Sequence, residues 1–240
     1  MKILISDIDS SMFSMQNADT VNAINKFINK GNLFIIATDK AINYVADTLA
    51  LSDLISEYYI CNDGAVIFDK FFNVLFRRDL KQSVVRPIVE MLEDDDNILE
   101  TFVDTSHGFV KDTSKPANGV VARPYDRIKA EMLLNSIVLK YPDVHGYVND
   151  NWLNITDVTV SKLAAIEFLN HNYRLDTSDV YVLGKDITDL DLMEKFNGYN
   201  LKDCSEDIKK YSKGEVENLK ELIDLLIKEE ERKDFDTIYE

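Results

Sequence analysis

Cysteine is nearly absent from this chain. Cys61 and Cys204 are the two it has, far apart and without a CxxC pair, which excludes a disulfide framework and offers no zinc-ligand spacing. Both read as small buried apolar residues in a reducing compartment. Basic residues are scarce too: 27 Lys and Arg against 43 Asp and Glu leave a net charge of −16. Such a surface repels polyanions, so nucleic acid and anionic membrane are discounted as partners, and an anionic ligand needs a local positive site. Four prolines, eight glycines and 45% apolar residues argue against low-complexity chain and for an ordered globular core. No apolar run reaches the roughly 20 residues of a membrane span. The first twenty residues carry Asp7 and Asp9 after only a few apolar residues, unlike a signal peptide. The expectation is a soluble, cytoplasmic protein. Its three histidines, His107, His145 and His171, show no ligand spacing.

What is present begins at the start of the chain. Ile3-Leu4-Ile5-Ser6 reads as a buried strand of a parallel sheet, and it ends in two carboxylates, Asp7 and Asp9, at i and i+2. Two like charges side by side at a strand tip are costly unless a cation or a reaction uses them. The pattern predicts a helix over 18–30, a strand over 33–37, a helix over about 41–51 and a strand over 58–61. That order implies right-handed crossovers and a doubly wound, Rossmann-like parallel sheet. A turn at Asn62-Asp63-Gly64 leads into a hairpin over 65–77.

From about Asp79 to Asp157 the rhythm changes. A helix over 84–92, short strands near 98–104, 109–111 and 119–123, a helix over 128–139, and strands near 144–148 and 152–155 show no βαβ order. They suggest an α+β domain inserted in the core. The boundaries expected are therefore 1–78 and 158–240 for the core and 79–157 for the insert. The first pattern resumes with a helix over 160–170, a buried strand over 180–183, an acidic loop over 184–191 and a helix around 190–196. A strand near 199–201, a helix over 216–228 and a charged tail prone to fray complete it.

Four features fall at strand tips or helix starts that one sheet would gather: Asp7 with Asp9, Thr38, Lys162, and Asp186 with Asp189. Phosphoryl transfer requires such a set. A carboxylate can attack phosphorus, Mg²⁺ takes hard carboxylate ligands, and a hydroxyl with an ammonium can hold the phosphoryl oxygens.

In this order the residues resemble the haloacid dehalogenase superfamily of phosphohydrolases, in its Cof-type branch, over the whole chain. Asp7-Ile8-Asp9 is similar to the family's DxD motif, Ala37-Thr38 to its hydroxyl motif, and Asn62-Asp63-Gly64-Ala65 to its hairpin entry. Ser161-Lys162 is similar to its lysine motif and Gly184–Asp189 to its acidic loop. The resemblance implies a Mg²⁺-dependent phosphatase acting on a small phosphorylated metabolite, such as a sugar phosphate, through an aspartyl-phosphate. Asp7 would be the nucleophile and Asp9 the acid and base, while Ser11, Thr38 and Lys162 would bind phosphate. The metal would fall to Asp7, Asp9, Asp186 and Asp189, under an α+β cap, in a monomer or weak homodimer.

One departure bears on mechanism. Ungapped alignment places Lys185 where the family has a metal-binding Asp, and Thr188 where it has Asn. Either Asp186 substitutes for the displaced carboxylate, or Lys185 disables the metal site and leaves a binding or regulatory protein on the same scaffold. Ser10 and Asp39-Lys40 also depart from the motifs. Phe102, Phe109, Arg123, Tyr147 and Trp152 are candidates for a substrate face on the insert.

Overall fold

The computed structural model describes residues 1–8, 18–50, 52, 54–149 and 151–239, with side chains through 232. In chain order its elements begin β1 (Ile3–Ser6), α1 (Ala18–Asn29), β2 (Leu33–Ala37), α2 (Ile42–Leu49), β3 (Tyr58–Cys61), β4 (Val66–Asp69) and β5 (Val74–Arg77). There follow α3 (Gln82–Glu93), β6 (Ile98–Thr105), β7 (Gly108–Val110), β8 (Gly119–Pro124), α4 (Arg127–Lys140), β9 (Val144–Asn149) and β10 (Trp152–Asp157). The last are α5 (Lys162–Tyr173), β11 (Val180–Gly184), α6 (Leu190–Lys195), β12 (Asn197–Leu201), α7 (Glu206–Lys209), β13 (Gly214–Val216) and α8 (Leu219–Tyr239). Two compact units result, one of Met1–Ala37, Leu49–Tyr59 and Leu169–Glu240, the other of Thr38–Thr48 and Ile60–Phe168.

The first unit is built on parallel strands in the order β13-β12-β11-β1-β2. All four residues of β1 are buried, as the uninterrupted Ile3-Leu4-Ile5 run requires of a strand covered on both faces. α1 buries Thr20, Ala23, Ile24 and Phe27 at helical spacing, and Gly31, at φ 87°, ends its chain path in the left-handed conformation that suits glycine. α1 packs against α8. Lys2, 3% exposed, sends its Nζ 2.6 Å to the Leu226 carbonyl and so ties α8 to the start of β1. The chain leaves β1 toward β2 and later returns on the other side as β11. The switch point of the sheet therefore lies between β1 and β11, and ligands of open α/β sheets bind at the carboxyl ends of strands at such a point. The expected α/β fold with a parallel sheet is the fold observed.

In the second unit five antiparallel strands run β7-β6-β8-β10-β9. Val85, Ile88, Val89 and Leu92 of α3, with Ala130, Leu134 and Ile137 of α4, share a core with Val103, Val120, Ala122, Val148, Leu153 and Ile155 of the sheet. The inward residues alternate along the strands, as a half-covered sheet demands. Asp126 caps α4 by accepting from the Lys129 amide at 2.9 Å.

Two expectations are corrected near the end of the chain. Val216 is not helical: it pairs with Leu201 as the last residue of β13, and the helix starts at Leu219. That helix continues to Tyr239 instead of stopping at 228, because Glu, Arg and Lys are themselves good helix formers. Neither the single turn α7 nor the three-residue β13 is long enough to show a period in sequence. Among the described residues no helix is long and apolar enough to cross a membrane.

Candidate active site

In the first unit, β1 and β11 pair in parallel with Ser6 opposite Leu183. One residue beyond stand Asp7, 4% exposed, and Gly184, the start of the acidic loop. This loop is held by Asp189, whose Oδ2 accepts the amides of Lys185 at 2.9 Å and Asp186 at 3.1 Å. The Asp186 carboxylate in turn accepts from the Asp189 amide, closing a reciprocal capping box. Gly184 has no room for a side chain: a Cβ there would stand 2.4 Å from Met193 Sδ and 2.9 Å from Asp189 Cβ. Lys185, the residue in the usual metal-ligand position, is 37% exposed, and its Nζ lies 4.0 Å from Asp203 Oδ2.

For a magnesium ion the donor chemistry fits. Asp7 and Asp186 are hard carboxylates on adjoining strand ends, the ligand type Mg²⁺ selects, and the Lys185 ammonium is drawn toward Asp203. Asp189 has one oxygen committed to two amides, which suits a residue that shapes the loop. No cluster of three metal-ligating side chains occurs among the described residues. Asp9 and Ser11, also expected here, lie outside the described residues.

The second unit brings the two other phosphate-binding candidates together through the Asn62–Gly64 turn. Thr38 is fully buried, and its carbonyl accepts the Asp63 amide at 3.0 Å. Its amide donates to the Ile60 carbonyl at 2.8 Å. Asn62, Asp63 and Gly64 all have positive φ, 48°, 56° and 102°, a run that Asn, Asp and Gly tolerate better than other residues. At Gly64 a Cβ would meet the Ser161 carbonyl oxygen at 2.2 Å and the Lys162 nitrogen at 3.2 Å. The turn therefore seats directly on the start of α5. Lys162 is 1% exposed, a degree of burial that lysine reaches only where its charge is balanced. Gly64→Ala combines a forbidden φ with a backbone collision. It is expected to cost about 3 kcal/mol, roughly 6–12 °C in Tm for a chain of this size, measured by thermal unfolding, with a loss of activity as Lys162 shifts.

The sequence did not single out Asp104. This β6 residue is 8% exposed and accepts from Asn62 Nδ2 at 2.9 Å through Oδ2. Asn62 Nδ2 also reaches the Thr105 carbonyl at 3.2 Å. Burial, together with the charges of Asp63 and Asp39, pushes the Asp104 carboxyl up to about 7, against the pull of the Asn62 hydrogen bond. Tyr147, a candidate for the substrate face, donates its hydroxyl to Asp63 Oδ2. Phe102, Phe109 and Trp152 pack on one another at centroid distances of 5.7–6.4 Å, with Lys111 Nζ 4.0 Å from the Phe102 centroid. Arg123 faces Glu100 at 3.6 Å. His145 Nε2 lies 3.0 Å from the Val160 carbonyl, a structural contact.

The model of the haloacid dehalogenase-like hydrolases matches residues 4–141 and 139–221. A protein of Buchnera aphidicola subsp. Baizongia pistaciae that carries the provisional name of a phosphatase is 21% identical over 239 residues, covering 93% of this chain and 83% of that protein. Among solved structures, a phosphatase of the same superfamily from Bacteroides thetaiotaomicron superposes with a TM-score of 0.79 at 15% identity, covering 94% of each chain. A haloacid dehalogenase-like hydrolase from B. subtilis superposes with a TM-score of 0.78 at 14% identity, covering 92% of this chain and 96% of that one. Similarity at this level speaks for a shared fold, whereas the family model spans most of the sequence, motifs included. The chain belongs to the haloacid dehalogenase-like hydrolase family.

Proposed function

We propose that this hydrolase is a Mg²⁺-dependent phosphatase that acts on a small phosphorylated metabolite, a sugar phosphate being the class its relatives suggest. One solved structure of the same fold is that of a sugar phosphatase. The observation that carries the reading is the placement of Asp7, buried at the switch point of the parallel sheet beside the loop that Asp189 organises. Asp7 attacks phosphorus through a carboxylate oxygen and the P–O bond to the leaving group breaks, giving an aspartyl-phosphate. Asp9 protonates the departing oxygen, then takes a proton from the water that releases phosphate. Ser11, Thr38 and Lys162 hold the transferring oxygens, the hydroxyls as donors and the ammonium as counter-charge. Asp7, the Asp9 carbonyl and Asp186 would hold the metal, with Asp189 fixing the loop. The bound ion supplies positive charge against the phosphoryl oxygens. Residues 79–157 serve as the cap, opening to admit substrate and closing to exclude water. The protein works in the cytoplasm as a monomer or weak homodimer, and its net charge of −16 disfavours nucleic acid as a partner.

The test is hydrolysis of p-nitrophenyl phosphate by the purified chain with and without Mg²⁺. Turnover that EDTA abolishes and Mg²⁺ restores is expected, and no turnover with any of several divalent ions overturns the reading. A second measurement addresses the acidic loop. Asp186→Ala should raise the Mg²⁺ concentration for half-maximal rate by about tenfold or more. Lys185→Asp should change it by less than about threefold, because that position is turned toward Asp203. The reverse pattern would assign the metal to position 185.

A further inference from the structure

Within the second unit lies a recess of about 30 Å³ lined by Asp39, Lys40, Asn62, Asp63, Asp104 and Phe109 among others. That volume holds one or two water-sized groups. Its hydrogen-bonding capacity is lopsided. Asp104 Oδ1 and Asn62 Oδ1 are buried acceptors that find no hydrogen-bond partner among the described residues, on residues 8% and 4% exposed. Buried polar atoms in native proteins nearly always find a partner, so two together mark a place where a donor is missing. The formal charge is lopsided as well: among the described lining residues three carboxylates, Asp39, Asp63 and Asp104, stand against one cation, Lys40, whose Nζ is 2.8 Å from Asp39 Oδ2.

We propose that this recess is a subsite for a primary ammonium group carried on the leaving group of the phosphorylated substrate, with Asp104 as its specificity-determining residue. The inference rests on the phosphatase reading in one respect, that Thr38 binds the phosphoryl group: the recess begins at Asp39, the next residue in the chain. An ammonium brings three N–H donors and a positive charge into a volume of its own size. It can satisfy Asp104 Oδ1 and Asn62 Oδ1 together and offset the carboxylates. A hydroxyl brings one donor and no charge, leaving one acceptor open. A guanidinium or a quaternary ammonium exceeds the volume. The Phe109 ring in the lining adds a face attractive to a cation.

The experiment measures binding, so it does not depend on turnover. ω-Aminoalkyl phosphates of two to six carbons, each paired with its ω-hydroxyalkyl counterpart, are titrated calorimetrically into the full chain near pH 8, where Asp104 is ionised. At one or two chain lengths the amino member is expected to bind about tenfold more tightly or better. Asp104→Asn should reduce that ratio to less than about threefold, and Asp104→Ser serves if the asparagine variant does not fold. Because a ratio within each protein is read, a general loss of affinity cancels. Equal affinity at every length, a preference for the hydroxy member, or a ratio that survives in the variants overturns the subsite. Hydrolysis of p-nitrophenyl phosphate separates the two readings. Turnover without the amino preference removes the subsite alone, and the preference without turnover supports the subsite while the phosphatase reading falls.

Discussion

Asp7→Asn is expected to lower the rate of p-nitrophenyl phosphate hydrolysis by on the order of 10⁴-fold or more, with Tm unchanged or slightly raised. An amide has the shape of the carboxylate but neither its charge nor its nucleophilicity, so it cannot attack phosphorus in its place. Asp7 is 4% exposed one residue past the strand that pairs with both β2 and β11, so the substitution leaves the packing of Ile3, Leu4 and Ile5 untouched. Removing a buried carboxylate near Asp186 and Asp189 relieves like-charge repulsion, which accounts for the expected gain in stability. Parallel measurements of initial rate and thermal unfolding separate loss of chemistry from loss of fold. Retention of more than about one hundredth of the rate would show that Asp7 is not the nucleophile.

Much of this site was legible in the chain because its signals are local. A strand of the first unit shows itself as an apolar run, and a carboxylate at its end stands out against that run. Asp7 after Ile3–Ser6 and the acidic loop after Val180–Gly184 are both read this way. The parallel order follows from helices alternating with such strands, and the family motifs fall on the same punctuation. What stayed hidden is non-local. Lys162 at a helix start looks the same in sequence whether solvated or 1% exposed. Only the seat of Gly64 on Ser161 reveals why it is enclosed. Asp104 sits in an alternating strand where an aspartate usually faces water, and its partner Asn62 is 42 residues away. No window of sequence links the two. Lys185 falls between these cases. Its position in the motif is legible, but the 4.0 Å approach of its Nζ to Asp203 Oδ2 is a tertiary fact.

Asp104→Asn is expected to stabilise the unliganded protein by about 2–4 kcal/mol near pH 8, and by nearly nothing near pH 4. The Asp104 carboxyl titrates near 7 in the folded chain, from a usual value of 3.8. Between those two values the folded state holds a proton that the unfolded state has released. Stability therefore falls as pH rises through this window, and above it the folded protein carries the whole cost of a buried charge. Each pKa unit corresponds to about 1.4 kcal/mol, so the displacement sets a ceiling of about 4 kcal/mol; relaxation around the charge lowers it. Asparagine keeps the shape, does not titrate, and keeps an oxygen that can accept from Asn62 Nδ2. Urea unfolding of both proteins from pH 4 to 8 should give midpoints that coincide at the acid end and diverge steadily toward the alkaline end. A gap independent of pH would mean that Asp104 is ionised throughout, and its burial would then need a counter-charge already in place. A carboxylate whose removal strengthens the empty protein fits a site whose charge is balanced by what it binds. The cost that Asp104 imposes on folding is thus the same quantity that an incoming cation would recover.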